Sequence, residues 1–147
     1  MKTKRVEAKY EAWLSTETMH NGSRKWLSEL MFAKDEQLFF DDLVKSYTLQ
    51  LIDSKHFAKS KKIVEQLGVL QKETNMLIDN VIDHEKGLEI MVDGINQLED
   101  ENAYKKEHGE LIITVSNFLE KYKTLKTQLF LLVKGIIKEG KQKRLLQ

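Results

Sequence analysis

An apolar seam between residues 63 and 98 constrains the fold of this chain more than any other feature. Read at alternating steps of four and three residues, nine of its eleven positions are apolar over five consecutive heptads. The positions are Ile63, Leu67, Leu70, Thr74, Leu77, Val81, His84, Leu88, Met91, Ile95 and Leu98. This period is typical of a coiled coil or of a long bundle helix that packs against partner helices. The sequence therefore predicts an all-α protein.

The composition of the chain favours long helices. Its 147 residues include no proline, the strongest helix breaker, and only seven glycines. This length corresponds to a single helical-bundle domain, residues 1–147, that is large enough to bury a hydrophobic core. Because cysteine is absent, disulfides, thiolate nucleophiles and cysteine-ligated metal centres are excluded.

Turn signals interrupt the helical pattern at three places. The stretch 20–23 contains an Asn-Gly pair and predicts a break or a kink near Gly22. The other two signals are the polar stretch 53–56 and the acidic run 99–102. The predicted helices therefore cover about residues 3–19, 24–53, 57–100 and 103–143.

The second and fourth predicted helices have broader apolar stripes than the third. Phe32 and Phe39 broaden the stripe of the second helix, and Phe130 broadens that of the fourth. This breadth predicts that each of these helices contacts two neighbours. We expect an elongated antiparallel three-helix bundle whose first helix is kinked near Gly22. A compact four-helix bundle, in which residues 3–19 form a separate helix, is the alternative.

Charge is distributed unevenly although the net charge is only +1. Between Asp79 and Glu110 there are ten acidic residues and three lysines, whereas between Lys121 and Arg144 there are eight basic residues and one acidic residue. A turn near Glu101 would place residue 59 level with about residue 143. The sequence thus predicts a bipolar surface with one basic end. The residues of that basic end are Lys55, Lys59, Lys61, Lys62, Lys141, Lys143 and Arg144.

The helix dipole does not account for the whole basic end. Cations favour the last turn of a helix, but residues 55–62 lie at a predicted helix start, where positive charge is unfavourable. Two interpretations of this excess stay open: a solvated surface without a partner, or a binding site for an unknown protein partner or for self-association. Nucleic acid is not expected as a partner, because the cluster is rich in lysine and poor in arginine and aromatic residues. A membrane is not expected either, because the apolar residues of the C-terminal segment continue the seam.

His84 is the one histidine that the seam of the third helix places in the interior. A buried imidazole needs hydrogen-bond partners, and the predicted register places Asn117, Tyr122 or a water molecule near it. We interpret His84 as a core residue that fixes the helix register. The alternative is a small-ligand or metal-binding site in the interior around His84.

No pattern in the sequence indicates an enzyme. None of the four histidines is followed four residues later by histidine or glutamate, so the usual helical metal-ligand spacing is missing, and no phosphate loop is present. We expect no catalytic residue, metal or cofactor. The N-terminus lacks an apolar signal region and no apolar run reaches membrane-spanning length, so a cytoplasmic protein is expected. The predicted function is that of a non-enzymatic interaction or scaffold protein.

Overall fold

The computed structural model describes residues 15–93 and 97–146, without the side chains of residues 92, 93, 97 and 98. Four helices lie within these ranges: α1 (Thr16–Ser46), α2 (Thr48–Leu51), α3 (Phe57–Asp93) and α4 (Gln97–Leu146). The same ranges contain no strand. The helices pack against each other, which confirms the all-α helical bundle.

Helix α1 passes through residues 20–23 without interruption, so the predicted break in the helix at these residues is wrong. The alternative, a kink near Gly22, stays a prediction. Packing explains why the Asn-Gly signal fails. Met19 and Ser23 are buried, and a β-carbon at Gly22 would lie 3.6 Å from the His108 ring. Burial along this face outweighs the helix propensity cost of glycine, about 1 kcal/mol. Residues 3–14 of the predicted first helix lie outside the described residues.

Helix α1 ends at Ser46, and the short α2 follows after the single residue Tyr47. The hydroxyl groups on either side account for this irregularity. Each donates to a backbone carbonyl of the preceding turn, Ser46 to Asp42 and Thr48 to Val44. Such side-chain bonds compete with the regular backbone ladder. The second predicted helix is therefore divided at this point.

The junction between α3 and α4 lies earlier in the sequence than predicted. Helix α3 ends at Asp93 and α4 begins at Gln97, so the acidic run 99–102 belongs to α4 and does not separate two helices. Glu99 and Asp100 occupy the first turn of α4, where carboxylates interact favourably with the helix dipole. The acidic run therefore marks a helix start.

The chain forms two compact units, each built from segments of the three long helices. Among the described residues, unit A combines those up to Phe32 with those between Asn75 and Ser116, and unit B combines Ala33–Thr74 with those from Asn117 onward. Helix α2 belongs to unit B. That residues 1–147 form a single domain stays a prediction.

The predicted seam is the buried face of α3. Nine of its positions are buried: Ile63, Leu67, Leu70, Thr74, Leu77, Val81, His84, Leu88 and Met91. The last two positions, Ile95 and Leu98, lie outside the described side chains. The predicted broadening of the second helix is wrong for Phe32 and Phe39, which are 66% and 56% exposed.

Helices α3 and α4 are antiparallel in each unit. In unit A, His84 contacts His108, and the midpoint of this pair is residue 96. In unit B, Glu73 pairs with Lys121 at 3.7 Å, with a midpoint at residue 97. The centre of the observed α3–α4 register therefore lies about five residues before the predicted turn near Glu101. As a consequence, each residue of α3 contacts a residue of α4 that is about ten positions earlier in the sequence than the predicted partner.

Helix α1 is antiparallel to α3 in unit B. Gln37 bonds Thr74, and Asp41, one turn later in α1, bonds Gln71, which precedes Thr74 in α3. Helix α1 runs parallel to α4 in the same unit. The pairs that define this direction are Glu36–Lys126 and Phe40–Phe130.

The polar seam residue Thr74 is fully paired. Gln37 donates from Nε2 to Thr74 Oγ1 at 2.9 Å, and Thr74 Oγ1 donates to the Leu70 carbonyl at 2.7 Å. Both polar side chains are buried. A buried polar pair of this kind favours one register, because sliding the helices would leave both groups without partners.

The substitution Thr74→Val should lower the free energy of unfolding by about 1–3 kcal/mol, because Gln37 would keep a buried amide without its acceptor. The double variant Thr74→Val/Gln37→Leu should recover most of this loss, since both polar groups are removed together. Urea denaturation of the two single variants and the double variant measures the coupling. Strictly additive losses would contradict the pairing.

Candidate functional site

A group of aromatic and ionisable side chains around the buried His84 lies in unit A, and we call it the histidine cluster. Its members are Trp26 of α1, His84 of α3, and Tyr104, Glu107 and His108 of α4. The α3 seam places His84 inward, and Tyr104 and His108 lie one turn apart on the buried face of α4.

Both ring nitrogens of His84 are hydrogen-bonded. Nδ1 lies 3.0 Å from Glu107 Oε1, and Nε2 lies 3.0 Å from His108 Nδ1. A carboxylate only accepts, so His84 donates from Nδ1 to Glu107, and a single proton on either ring makes the bond between His84 Nε2 and His108 Nδ1. The three side chains form a chain of hydrogen bonds from the exposed Glu107 carboxylate into the core.

Aromatic stacking holds both imidazoles in place. The His84 ring stacks on Tyr104 with a centroid distance of 4.0 Å and an interplanar angle of 7°. The His108 ring stacks on Trp26 at 4.8 Å and 29°. Because stacking fixes each ring plane and hydrogen bonds fix the nitrogens, the orientation of the pair is fully determined.

Burial shifts the ionisation of two members of the cluster. Burial, together with the adjacent His84 ring, lowers the pKa of His108 to about 4. Burial, followed by the carboxylates of Glu85 and Glu107, raises the pKa of Tyr104 well above its usual range. Both groups are therefore neutral near pH 7.

The partners predicted for His84 from the sequence are wrong. Tyr122 belongs to unit B, where its hydroxyl donates to Glu36 Oε1 at 2.6 Å. His84 instead meets Glu107 and His108. The error follows from the misplaced junction between α3 and α4, which shifted every expected partner by about ten residues.

The geometry of the cluster does not favour a metal site at His84. Glu107 and His108 occupy both of its ring nitrogens, so a metal would have to displace one of these bonds. In the described part of the chain, no group of three or more His, Cys, Asp or Glu side chains is arranged to hold a metal ion.

For a small ligand, an open depression of about 420 Å³ lies beside the histidine cluster on unit A. It is lined by Thr18, Asn21, Gly22, Lys25, Trp26, His108 and Ile112.

A second candidate site lies on unit B, and we call it the basic surface. It consists of the predicted residues Lys55, Lys59, Lys61, Lys62, Lys141, Lys143 and Arg144, all of them exposed. Lys55 forms an ion pair with Glu139 at 2.9 Å. The other six cations form no ion pair with any residue that the structure describes.

Glu139 connects the two parts of the basic surface. Its carboxylate accepts hydrogen bonds from His56 Nε2 at 3.0 Å and from Lys55 Nζ at 2.9 Å. These two bonds hold the pKa of Glu139 well below its usual range. The turn before α3 is thereby fixed against the last turns of α4. The prediction that residue 59 lies level with about residue 143 is wrong, because it is residue 55 that contacts residue 139.

Apolar side chains accompany the cations of the basic surface. Lys141, Lys143 and Arg144 line a surface cavity of about 410 Å³ together with Tyr47 and Ile136. Large exposed apolar residues lie on the same unit, in the segment before α3, at the first residue of α3 and at the end of α4: Leu49, Ile52, Phe57, Leu145 and Leu146. A surface with both cations and apolar side chains suits a partner that has acidic and apolar groups.

Two features of the structure escaped the sequence analysis although a signal was present. His108 lies one turn after Tyr104 on the α4 seam, so its burial could have been predicted from the sequence. Its pairing with His84 could not, because it depends on the register between the two helices. Gln37 likewise lies on the α1 seam. Its partner Thr74 becomes evident only when the two helices are placed together.

Comparison with protein-family models, with curated proteins and with solved structures finds no match for this chain. No helix within the described ranges combines the length and the apolar composition that are needed to cross a lipid bilayer. The site therefore has to be interpreted from its own geometry.

The pKa of His108 predicts that acid destabilises the protein. The unfolded chain protonates this histidine near pH 6.5 and the folded protein only near pH 4, so stability is complete above pH 6.5 and is lost as the pH falls towards 4. At pH 4.5 this loss should amount to about 3 kcal/mol.

The variant His108→Gln keeps an amide donor for His84 but cannot titrate, so its loss of stability between pH 7 and pH 4.5 should be about 3 kcal/mol smaller. Urea denaturation at the two pH values measures the difference. His20→Gln, which replaces a half-exposed ring, is the control and should keep most of the original loss. An unchanged pH dependence in His108→Gln would refute the assignment.

Proposed function

We propose that this chain is a non-enzymatic helical-bundle protein that acts by binding a protein partner through the basic surface of unit B. The observation that carries this proposal is the set of six exposed cations without an ion-pair partner among the described residues. Isolated surface cations are common, but six on one unit produce a field that attracts an acidic surface and steers its approach.

The position of three of these cations supports a binding role. Lys59, Lys61 and Lys62 lie in the first two turns of α3, whose first turn contains no acidic residue. Positive charge at a helix start opposes the helix dipole by roughly 0.3–1 kcal/mol for each nearby residue. Lys59, in the first turn, therefore opposes the stability of α3, which is consistent with a contact outside the chain.

The histidine cluster supports a structural interpretation better than a ligand site. Both ring nitrogens of His84 are bonded to other members of the cluster, Glu107 and His108, and its ring is stacked on Tyr104. The depression beside it, lined by Trp26 and Asn21, keeps a small ligand as the second candidate function. The cytoplasmic location and the coiled-coil character expected from the sequence stay predictions.

The proposal predicts a charge-dependent interaction. The variant Lys59→Gln/Lys61→Gln/Lys62→Gln should reduce binding of the partner at least tenfold, measured by pull-down from cell extract and by sedimentation of the purified protein. High salt should also weaken the binding, because about 1 M NaCl shortens the electrostatic screening length to about 3 Å.

The matched control removes three exposed lysines from unit A through Lys25→Gln, Lys86→Gln and Lys106→Gln. It changes the net charge equally and should leave the interaction unchanged. Circular dichroism verifies that both variants are folded. If the two variants and the unmodified protein behave alike in pull-down and in sedimentation, the basic surface is not a binding site.

A further inference from the structure

The two units have opposite net charges. Among the described residues, unit A contains five basic and twelve acidic residues, a net charge of −7, and unit B contains fifteen basic and nine acidic residues, a net charge of +6. The charges nearly cancel over the whole chain but not within either unit. Each copy therefore presents two surfaces of opposite sign and similar magnitude.

The negative charge of unit A is concentrated on what we call the acidic surface. Its residues are Asp79, Asp83, Glu89, Glu99, Asp100 and Glu110, which are exposed and form no ion pair with a described residue. Exposed apolar side chains are close to them in the sequence, including Ile82, Ile90 and Ile113. This is the same combination of charge and apolar area that the basic surface has, with the opposite sign.

We infer that the partner of the basic surface is a second copy of this chain, whose acidic surface docks on it. This inference rests on the proposed function and names its partner. An acidic partner of another kind would engage only the basic surface and would leave the acidic residues of unit A without a counterpart. A second copy uses both surfaces, because each chain contributes one surface of each sign.

The contact is held by many weak interactions. A single exposed ion pair contributes about 0–1 kcal/mol, so six cations facing six carboxylates are needed for a measurable association. Apolar side chains on both surfaces, such as Ile90 on unit A and Phe57 on unit B, add the non-directional contribution of burial. The association is therefore expected to be strong at low salt and weak at high salt.

Charge reversal on each surface tests this pairing directly. The first variant, Lys59→Glu/Lys61→Glu/Lys62→Glu, makes the basic surface acidic, and the second, Asp79→Lys/Asp83→Lys/Glu89→Lys, makes the acidic surface basic. Sedimentation velocity in about 50 mM and about 1 M NaCl reports the assembly. The unmodified protein should associate in the first buffer and dissociate in the second, and each variant alone should associate at least tenfold more weakly.

An equimolar mixture of the two variants should restore association, because the altered surfaces are again complementary between copies. All substituted positions are exposed, and circular dichroism confirms that each variant is folded. A chain that stays monomeric at low salt, or a mixture that fails to associate, would overturn the inference. In either case, the proposed function would still be supported if the unmodified protein captures a different protein in the pull-down and the variant Lys59→Gln/Lys61→Gln/Lys62→Gln does not. Failure of the self-association inference can therefore be distinguished from failure of the proposed function.

Discussion

The register between α3 and α4 is the constraint on which the other features of the structure depend. With its centre near residue 96, it brings His84 onto His108 in unit A and Lys55 onto Glu139 in unit B. A shift of one residue would rotate the facing side chains by about 100°. The buried hydrogen bonds and the turn at the basic surface would then be lost together. One helix pairing thus determines both candidate sites.

Polar residues inside the seams select this register. Apolar side chains tolerate small slips because their contacts are non-directional, whereas the bonds of His84 and of Thr74 require particular partners at 3.0 Å and 2.9 Å. A polar residue at a core position of a coiled coil fixes the register in the same way, at some cost in stability. His84 therefore specifies the register of α3 against α4 in unit A, and Thr74, through Gln37, specifies the register of α3 against α1 in unit B.

The sequence was sufficient for the helical class and for the buried face of α3, because a four-three apolar period has few structural interpretations. The junctions were harder to predict. The acidic run 99–102 is compatible with a turn and with the first turn of a helix, and only packing distinguishes the two. Asn-Gly at residue 22 failed because burial of Met19 and Ser23 outweighs local preference. The positions of the basic-surface residues followed from charge counting, whereas the pairing of His84 required a register that no local pattern encodes.

The register can be tested most directly by nuclear Overhauser spectroscopy of the aromatic side chains. The structure predicts strong cross-peaks between the ring protons of His84 and Tyr104, whose centroids are 4.0 Å apart. A turn near Glu101, as predicted from the sequence, would instead place His84 beside Phe118 and produce cross-peaks between those two rings. Observing the Tyr104 peaks would establish the register, and observing the Phe118 peaks in their place would contradict it.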